Sequence, residues 1–248
     1  MTAGQTNPPV ALNPDLNVEG LKRRFAETGR LQIKNVLHPE TAARLHQCLT
    51  QETPWMIAYN EGYDAKYLTQ ADMAAMPPLK RNSFMQNIFA RAADNFQYVY
   101  NDFPVSGTMN IANQPKFYTH DVLHFLRGSE FGDLIKRLTG MEGEFLVDSH
   151  ATCFQAGHFL SSHTDLHNKT DPRRLAYVLS MTPEWKGDWG AATVFFDDDG
   201  EILESFVPSF NTFTTFKVPQ NHSVSFVPPF CTQGRFAMSG WFYRPDKT

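Results

Sequence analysis

The spacing of apolar and polar positions changes character near residue 140. Before it, apolar side chains recur at helical intervals. Val18, Leu21 and Phe25 follow the capping candidate Asn17 and predict a helix ending near Gly29; Phe84, Ile88, Phe89 and Ala92 predict another between Ser83 and Phe96; Asp121–Arg127 and Glu130–Leu138 follow, the last stopped by Thr139-Gly140. Leu31-Gln-Ile-Lys-Asn-Val alternates like a half-buried strand, and Pro39 opens a further helix from its first position. Trp55–Leu79 mixes Tyr59, Tyr63 and Tyr67 with methionines and polar residues, and reads as a covering segment over an entrance rather than as core. Beyond Gly143 the runs become short and rich in β-branched and aromatic residues: Glu144–Phe154, Arg174–Met181, Ala191–Phe196, Thr212–Phe216, Ser223–Val227 and Arg235–Tyr243, separated by Gly, Pro and Asp. This pattern predicts an α+β chain in which a helical N-terminal half packs on a C-terminal jelly roll. The expected organisation is a flexible Pro/Asn-rich tail over 1–17 and a single domain over 18–248, with helical support to 140 and the jelly roll from 141.

Composition narrows the function classes. The chain of 248 residues carries 22 Lys+Arg against 26 Asp+Glu, a formal charge of −4, and no basic run longer than Lys22-Arg23-Arg24, so nucleic acid is not an expected partner. No apolar window suits a membrane span, and the first residues lack a basic then apolar leader, so no membrane association and a cytoplasmic location are expected. Cys48, Cys153 and Cys231 are far apart and in no C-x-x-C spacing, which fits reduced thiols rather than structural zinc.

The candidate chemistry lies in Gly157-His-Phe-Leu-Ser-Ser-His163-Thr-Asp165-Leu-His167. Side chains at i and i+2 of an extended segment point the same way, so His163 and Asp165 can offer a nitrogen and a carboxylate oxygen to one point. His222 opens a run several strands later, where a rolled sheet can return it to the same mouth. Two imidazoles and one carboxylate on one face of an octahedral ion make the facial triad of non-haem Fe(II) oxygenases, with sites left open for co-substrate and O2. A lone H-x-D spacing arises readily by chance; the frame around it adds weight. Downstream, Arg235, Ala237, Ser239 and Trp241 share one strand face, a guanidinium beside small residues that suits a carboxylate clamp.

Taken together, His163-x-Asp165, His222 and Arg235-x-x-x-Ser239-Gly-Trp resemble the 2-oxoglutarate- and Fe(II)-dependent dioxygenases of the prolyl 4-hydroxylase superfamily. Gly157-x-x-Leu160, and Trp185 ahead of Gly190-Ala-Ala-Thr-Val-Phe-Phe, are similar to the branch of ribosomal prolyl hydroxylases and their bacterial relatives. The resemblance covers about residues 145–243 and implies a double-stranded β-helix (cupin-like) core. It implies that His163, Asp165 and His222 bind Fe(II) and that Arg235 binds the distal carboxylate of 2-oxoglutarate with help from a neighbouring hydroxyl, for which Ser239 is the candidate; Tyr177, read from its strand, can either line the co-substrate pocket or pack in the core. It also implies oxidative decarboxylation to succinate and CO2, hydrogen abstraction from a substrate C–H bond and hydroxyl rebound, with ascorbate as a reductant; retention of Asp165 points to hydroxylation rather than halogenation. Two positions depart from the family: Phe154 where Tyr is frequent, and Ala191 where a second Gly is frequent.

Other candidates are weighed individually. His158 falls on the opposite parity from His163 and reads as structural or exposed, while His167 is a candidate for supporting the ligand residues or for contacting substrate. His120 and His124 stand at i, i+4 without the intervening Glu of a zinc helix and read as capping or packing residues. Asp197-Asp-Asp-Gly reads as a turn. The expected substrate is a prolyl or other protein residue; a free amino acid is the small-molecule alternative, and a non-catalytic binding module the alternative in another class.

Overall fold

The computed structural model describes residues 7–62, 64–166 and 170–244. Seven α-helices, α1 (Leu21–Thr28), α2 (Pro39–Gln47), α3 (Gln70–Ala75), α4 (Pro78–Ala92), α5 (Val105–Thr108), α6 (Tyr118–Leu126) and α7 (Ser129–Thr139), occur among those residues. The strands are β1 (Arg30–Lys34), β2 (Met56–Glu61), β3 (Asp64–Thr69), β4 (Tyr98–Phe103), β5 (Leu146–Val147), β6 (His150–Phe154), β7 (Phe159–His163), β8 (Arg173–Ser180), β9 (Thr193–Phe196), β10 (Ile202–Phe206), β11 (Thr212–Lys217), β12 (His222–Val224) and β13 (Arg235–Tyr243).

Hydrogen bonding follows the order β1-β11-β8-β13-β6-β4-β7-β12-β9-β10, with the β2–β3 hairpin attached to β4. The pairings are antiparallel, and β4 joins two layers: Asn101–Phe103 pair with β6 while Tyr98 and Val99 pair with β7. A rolled sheet of this connectivity is the predicted jelly roll, a double-stranded β-helix.

Alternation along the strands creates two cores. The outward face of β8, β11 and β13 carries Tyr177, Leu179, Phe213, Met238 and Phe242, which bury against Leu123, Phe131, Leu134 and Ile135 of α6 and α7 and against Phe25 and Leu45. Phe131 meets Phe213 edge-on at 5.1 Å. The inward face carries Ala176, Phe195 and Phe216 in one cluster and Phe154, Val224, Val227 and Cys231 in another. Because successive strand residues point to opposite faces, this division fixes which side chains can meet inside the roll.

Four sequence expectations are corrected. Residues 55–79 are not merely a cover: β2 extends the sheet from β4, and Ile57 packs with Ile88, Val99 and Phe159. The N-terminal half is less helical than its apolar spacing implied, since β4 lies at the seam of the roll. Residues 7–17 are not free: Asn13 N donates to Val36 O at 2.9 Å, His38 N donates to Ala11 O at 2.9 Å, and Leu12 and Leu16 pack on the core. The first helix begins at Leu21 after Gly20, while Asn17 instead accepts from Glu19 N in a local turn.

The seat of β13 is tight at Gly240, where an added Cβ would fall within the van der Waals shell of the Asp148 carbonyl. Asp148 also accepts from Trp241 N at 2.8 Å and, through its carbonyl, from Tyr177 Oη at 2.9 Å. Gly240→Ala is expected to lower stability by about 1–3 kcal/mol through this overpacking, read as a fall in Tm on thermal denaturation.

Candidate metal centre

Three side chains converge at the open end of the roll. β7 ends at His163, the chain turns through Asp165 with φ 63°, and β12 begins at His222, directly opposite His163 in register. A positive φ is tolerated by Asp better than by most residues; here it swings the carboxylate back toward the strand it has just left. The Asp165 carbonyl is held by Arg173 Nη1 at 2.7 Å, and the Arg173 guanidinium lies 4.3 Å from the centre of the Trp241 ring.

Both imidazoles are oriented from behind. His163 Nδ1 donates to Ser161 O at 2.9 Å and His222 Nδ1 to Gln220 O at 2.8 Å, which leaves each Nε2 with a lone pair facing the common point. Those Nε2 atoms lie 3.4 Å from Asp165 Oδ1 and 3.5 Å from Oδ2, and one ligand atom from each residue falls within 4.8 Å of the others. Adjacent ligands of an octahedral ion stand roughly 3 Å apart, so a small contraction suffices. Burial, reinforced by the neighbouring His163, lowers the His222 pKa to about 4. Burial alone would raise the Asp165 pKa, but the His163 hydrogen bond and the two imidazole charges bring it below the usual carboxylate value. Neutral imidazole and ionised carboxylate are the forms that donate to a metal. Two imidazole nitrogens and one carboxylate oxygen therefore fit a borderline divalent transition-metal ion such as Fe(II).

Arg235 extends the site into the roll. It is 3% exposed; Nη2 donates to Thr193 Oγ1 at 3.3 Å, the guanidinium sits 5.2 Å over the Phe154 ring, and Nε has no partner among the described residues. Burial lowers its pKa to about 10. A buried cation with spare donors and no bonded carboxylate is an anion site waiting for its ligand.

Residues 149–243 match the family model described as the 2OG-Fe(II) oxygenase superfamily. Over those residues the chain is similar to that superfamily. Mouse prolyl 3-hydroxylase OGFOD1 is 28% identical over 164 residues, which is 62% of this chain and 29% of the mouse protein. The chain spans less than a third of the length of the curated relatives it matches. In fold, it is similar to a 2OG-Fe(II) oxygenase family oxidoreductase from Burkholderia pseudomallei, with TM-score 0.59 and 12% identity over 94% of this chain and 95% of that one. A prolyl hydroxylase from Trichoplax adhaerens, solved in complex with a hypoxia inducible factor oxygen degradation domain peptide fragment, is also similar, with TM-score 0.56 and 15% identity over 90% and 87%. The superfamily's metal and co-substrate are Fe(II) and 2-oxoglutarate, and its oxidant is O2.

Ser239 shares the inward face with Arg235, two alternations further along β13. Tyr177 does not line the interior: it stacks on Phe213 in the core beneath the helices, its parity opposite to that of Ala176. The hydroxyl beside Arg235 belongs to Thr193, which sequence spacing did not single out. Ala191 adopts φ 51°, a left-handed conformation that glycine takes more readily than alanine. His167, like Tyr63, lies outside the described residues. His120 accepts from Phe117 N at 2.9 Å at the start of α6, the capping role expected, and Asp197 closes its turn by accepting from Asp199 N and Glu201 N.

His158 is structural, accepting from Gln155 N at 3.1 Å, and burial lowers its pKa to about 4. The unfolded chain, with an ordinary histidine pKa near 6.5, binds this proton first as pH falls, so native stability drops between about pH 6.5 and 4. In metal-free protein, His158→Gln is expected to flatten part of that decline in Tm across this window.

Proposed function

We propose that this chain is a 2-oxoglutarate-dependent hydroxylase of prolyl residues in a protein or peptide. The observation that carries the reading is the convergence of His163, Asp165 and His222 beside the uncompensated Arg235 guanidinium. Similarity to prolyl 3-hydroxylase OGFOD1 supports a prolyl target. An open rim supports a peptide rather than a small molecule, since Phe96, 5.3 Å from the His163 ring, and Tyr67 on the hairpin are both 46% exposed.

His163, Asp165 and His222 would hold iron, which supplies O2 activation coupled to 2-oxoglutarate decarboxylation. The protein orients and shields. Arg235 and Thr193 take the distal carboxylate of the co-substrate, and Ser239 stands between Arg235 and Trp241 on the same face. Arg173 fixes the Asp165 turn through its carbonyl. Phe154, Val224 and Trp189 line an apolar interior that keeps water from the reacting end. Ascorbate is the expected reductant maintaining ferrous iron, and the three buried free cysteines suit a reducing compartment such as the cytoplasm.

The deciding experiment incubates the purified chain with Fe(II), ascorbate, 2-oxoglutarate and proline-bearing peptides. Succinate formation with a one-oxygen mass gain on a prolyl residue is expected. Iron-loaded protein with no affinity for 2-oxoglutarate by calorimetry would remove the reading.

A further inference from the structure

Outside the metal set, one other imidazole–carboxylate pair occurs among the described residues: His150 Nδ1 lies 2.9 Å from Asp102 Oδ1. It joins β6 to β4 across the inward face. His150 is opposite Ser239 in register, and Phe154, two alternations along β6, is opposite Arg235, so the pair shares its face with the co-substrate clamp.

The two partners differ sharply in access. Asp102 is 1% exposed and its Oδ2 has no partner among the described residues, whereas the His150 side chain is 35% exposed. The carboxylate is therefore buried while part of the imidazole remains accessible. Asp102 occupies Nδ1, so Nε2 is the atom left for a ligand, and no hydrogen bond joins it to another described residue.

The surroundings are polar and equally unspent. The Tyr98 and Tyr100 rings stand 5.4 Å apart, and Phe96 links Tyr98, at 5.8 Å, to His163, at 5.3 Å, which places this cluster beside the metal set; Tyr67 also lies within the field of Asp102. None of the three phenol groups hydrogen-bonds to another described residue. Burying a carboxylate beside a half-open imidazole costs desolvation without completing the hydrogen bonding of either partner. A purely structural pair would be expected to satisfy its remaining atoms within the protein.

We propose that Asp102 and His150 form a substrate-orienting dyad. In it, Asp102 holds the ring so that His150 Nε2–H donates to the main-chain carbonyl oxygen next to the residue being hydroxylated. Donation from Nε2 with Nδ1 already on Asp102 requires the doubly protonated ring. Burial alone would disfavour that form, but the Asp102 hydrogen bond and the charges of Asp102 and Asp148 outweigh it and raise the His150 pKa. The dyad rests on the hydroxylase reading and adds a recognition element to it: an acceptor oxygen on the target's carbonyl side, taken from a peptide rather than from a free carboxylate.

The test uses the full chain loaded with zinc and 2-oxoglutarate, labelled with 15N-histidine, and titrated with a blocked glycyl-prolyl-glycine amide and separately with free L-proline. The His150 Nε2 resonance is expected to shift saturably with the blocked peptide. With iron, His150→Leu should raise the peptide KM about tenfold against less than about a twofold change in the KM for 2-oxoglutarate, and His150→Gln, which keeps a donor, should recover most of the loss. A resonance indifferent to the peptide, a response to L-proline alone, or Gln and Leu variants that behave alike would each overturn the dyad. Wild-type protein that turns over no 2-oxoglutarate would remove the hydroxylase reading, while the zinc-loaded titration would still decide the role of His150.

Discussion

Asp165→Gly is expected to lower Fe(II) affinity by at least about 100-fold and to remove hydroxylation, while the chain still folds. The magnitude follows from what lesser perturbations cost: loss of a hydrogen bond behind a metal ligand weakens binding by about 10–100-fold, and loss of the ligand itself exceeds that. Glycine is the informative replacement because Asp165 has φ 63°, a conformation that a Cβ without a compensating hydrogen bond resists by about 1–2 kcal/mol. An alanine variant would confuse backbone strain with metal loss. Without the carboxylate, the two Nε2 atoms remain oriented by Ser161 O and Gln220 O. Iron titration by calorimetry, with circular dichroism as the folding check, reads the result. Undiminished iron affinity in a folded variant would displace Asp165 from the ligand set.

Arg235→Met separates binding from stability by sign. The guanidinium is buried, its Nε is orphaned, and its single side-chain hydrogen bond to Thr193 is long. Methionine fills a similar volume over the Phe154 ring without the desolvated charge, so Tm in the absence of co-substrate is expected to stay level or rise. Binding moves the other way: 2-oxoglutarate affinity should fall about 100-fold, on the order of 3 kcal/mol, through loss of a charge-assisted clamp. Calorimetric affinity and a melting curve on the same variant make the comparison. A fall in Tm with unchanged affinity would mean that the guanidinium serves the fold and not the co-substrate.

The convergence of His163, Asp165 and His222 was legible in the sequence because its parts follow local rules. The i, i+2 parity of His163 and Asp165 holds in an extended segment whatever the tertiary context, and Arg235 likewise shares a face with Ser239 and Trp241. What the sequence hid was long-range. Tyr98-Val-Tyr-Asn-Asp-Phe alternates like a strand, yet its place between β6 and β7 depends on pairing partners about fifty to sixty residues away. Of the two roles open to Tyr177, pocket lining or core packing, the structure shows the second: its aromatic ring suits either face of β8, and the face is set by Phe213 and Phe242 rather than by anything next to it in the chain. Thr193 was overlooked because a lone threonine in an apolar strand carries no signal until the strand opposite brings a guanidinium to it. Asp102 and His150 were separated by the change in pattern near residue 140 and belonged to different halves of the reading.

The seam strand carries a consequence for where this protein can be cut. A fragment starting at the switch to short aromatic runs would retain every proposed iron ligand yet lose the rung that bridges its two layers. Its β6 and β7 edges would then be bare, each offering unpaired amides to another copy. The shortest autonomous piece must therefore reach back past Tyr98, and an engineered minimal catalyst that ignores this inherits an adhesive edge in place of a closed roll.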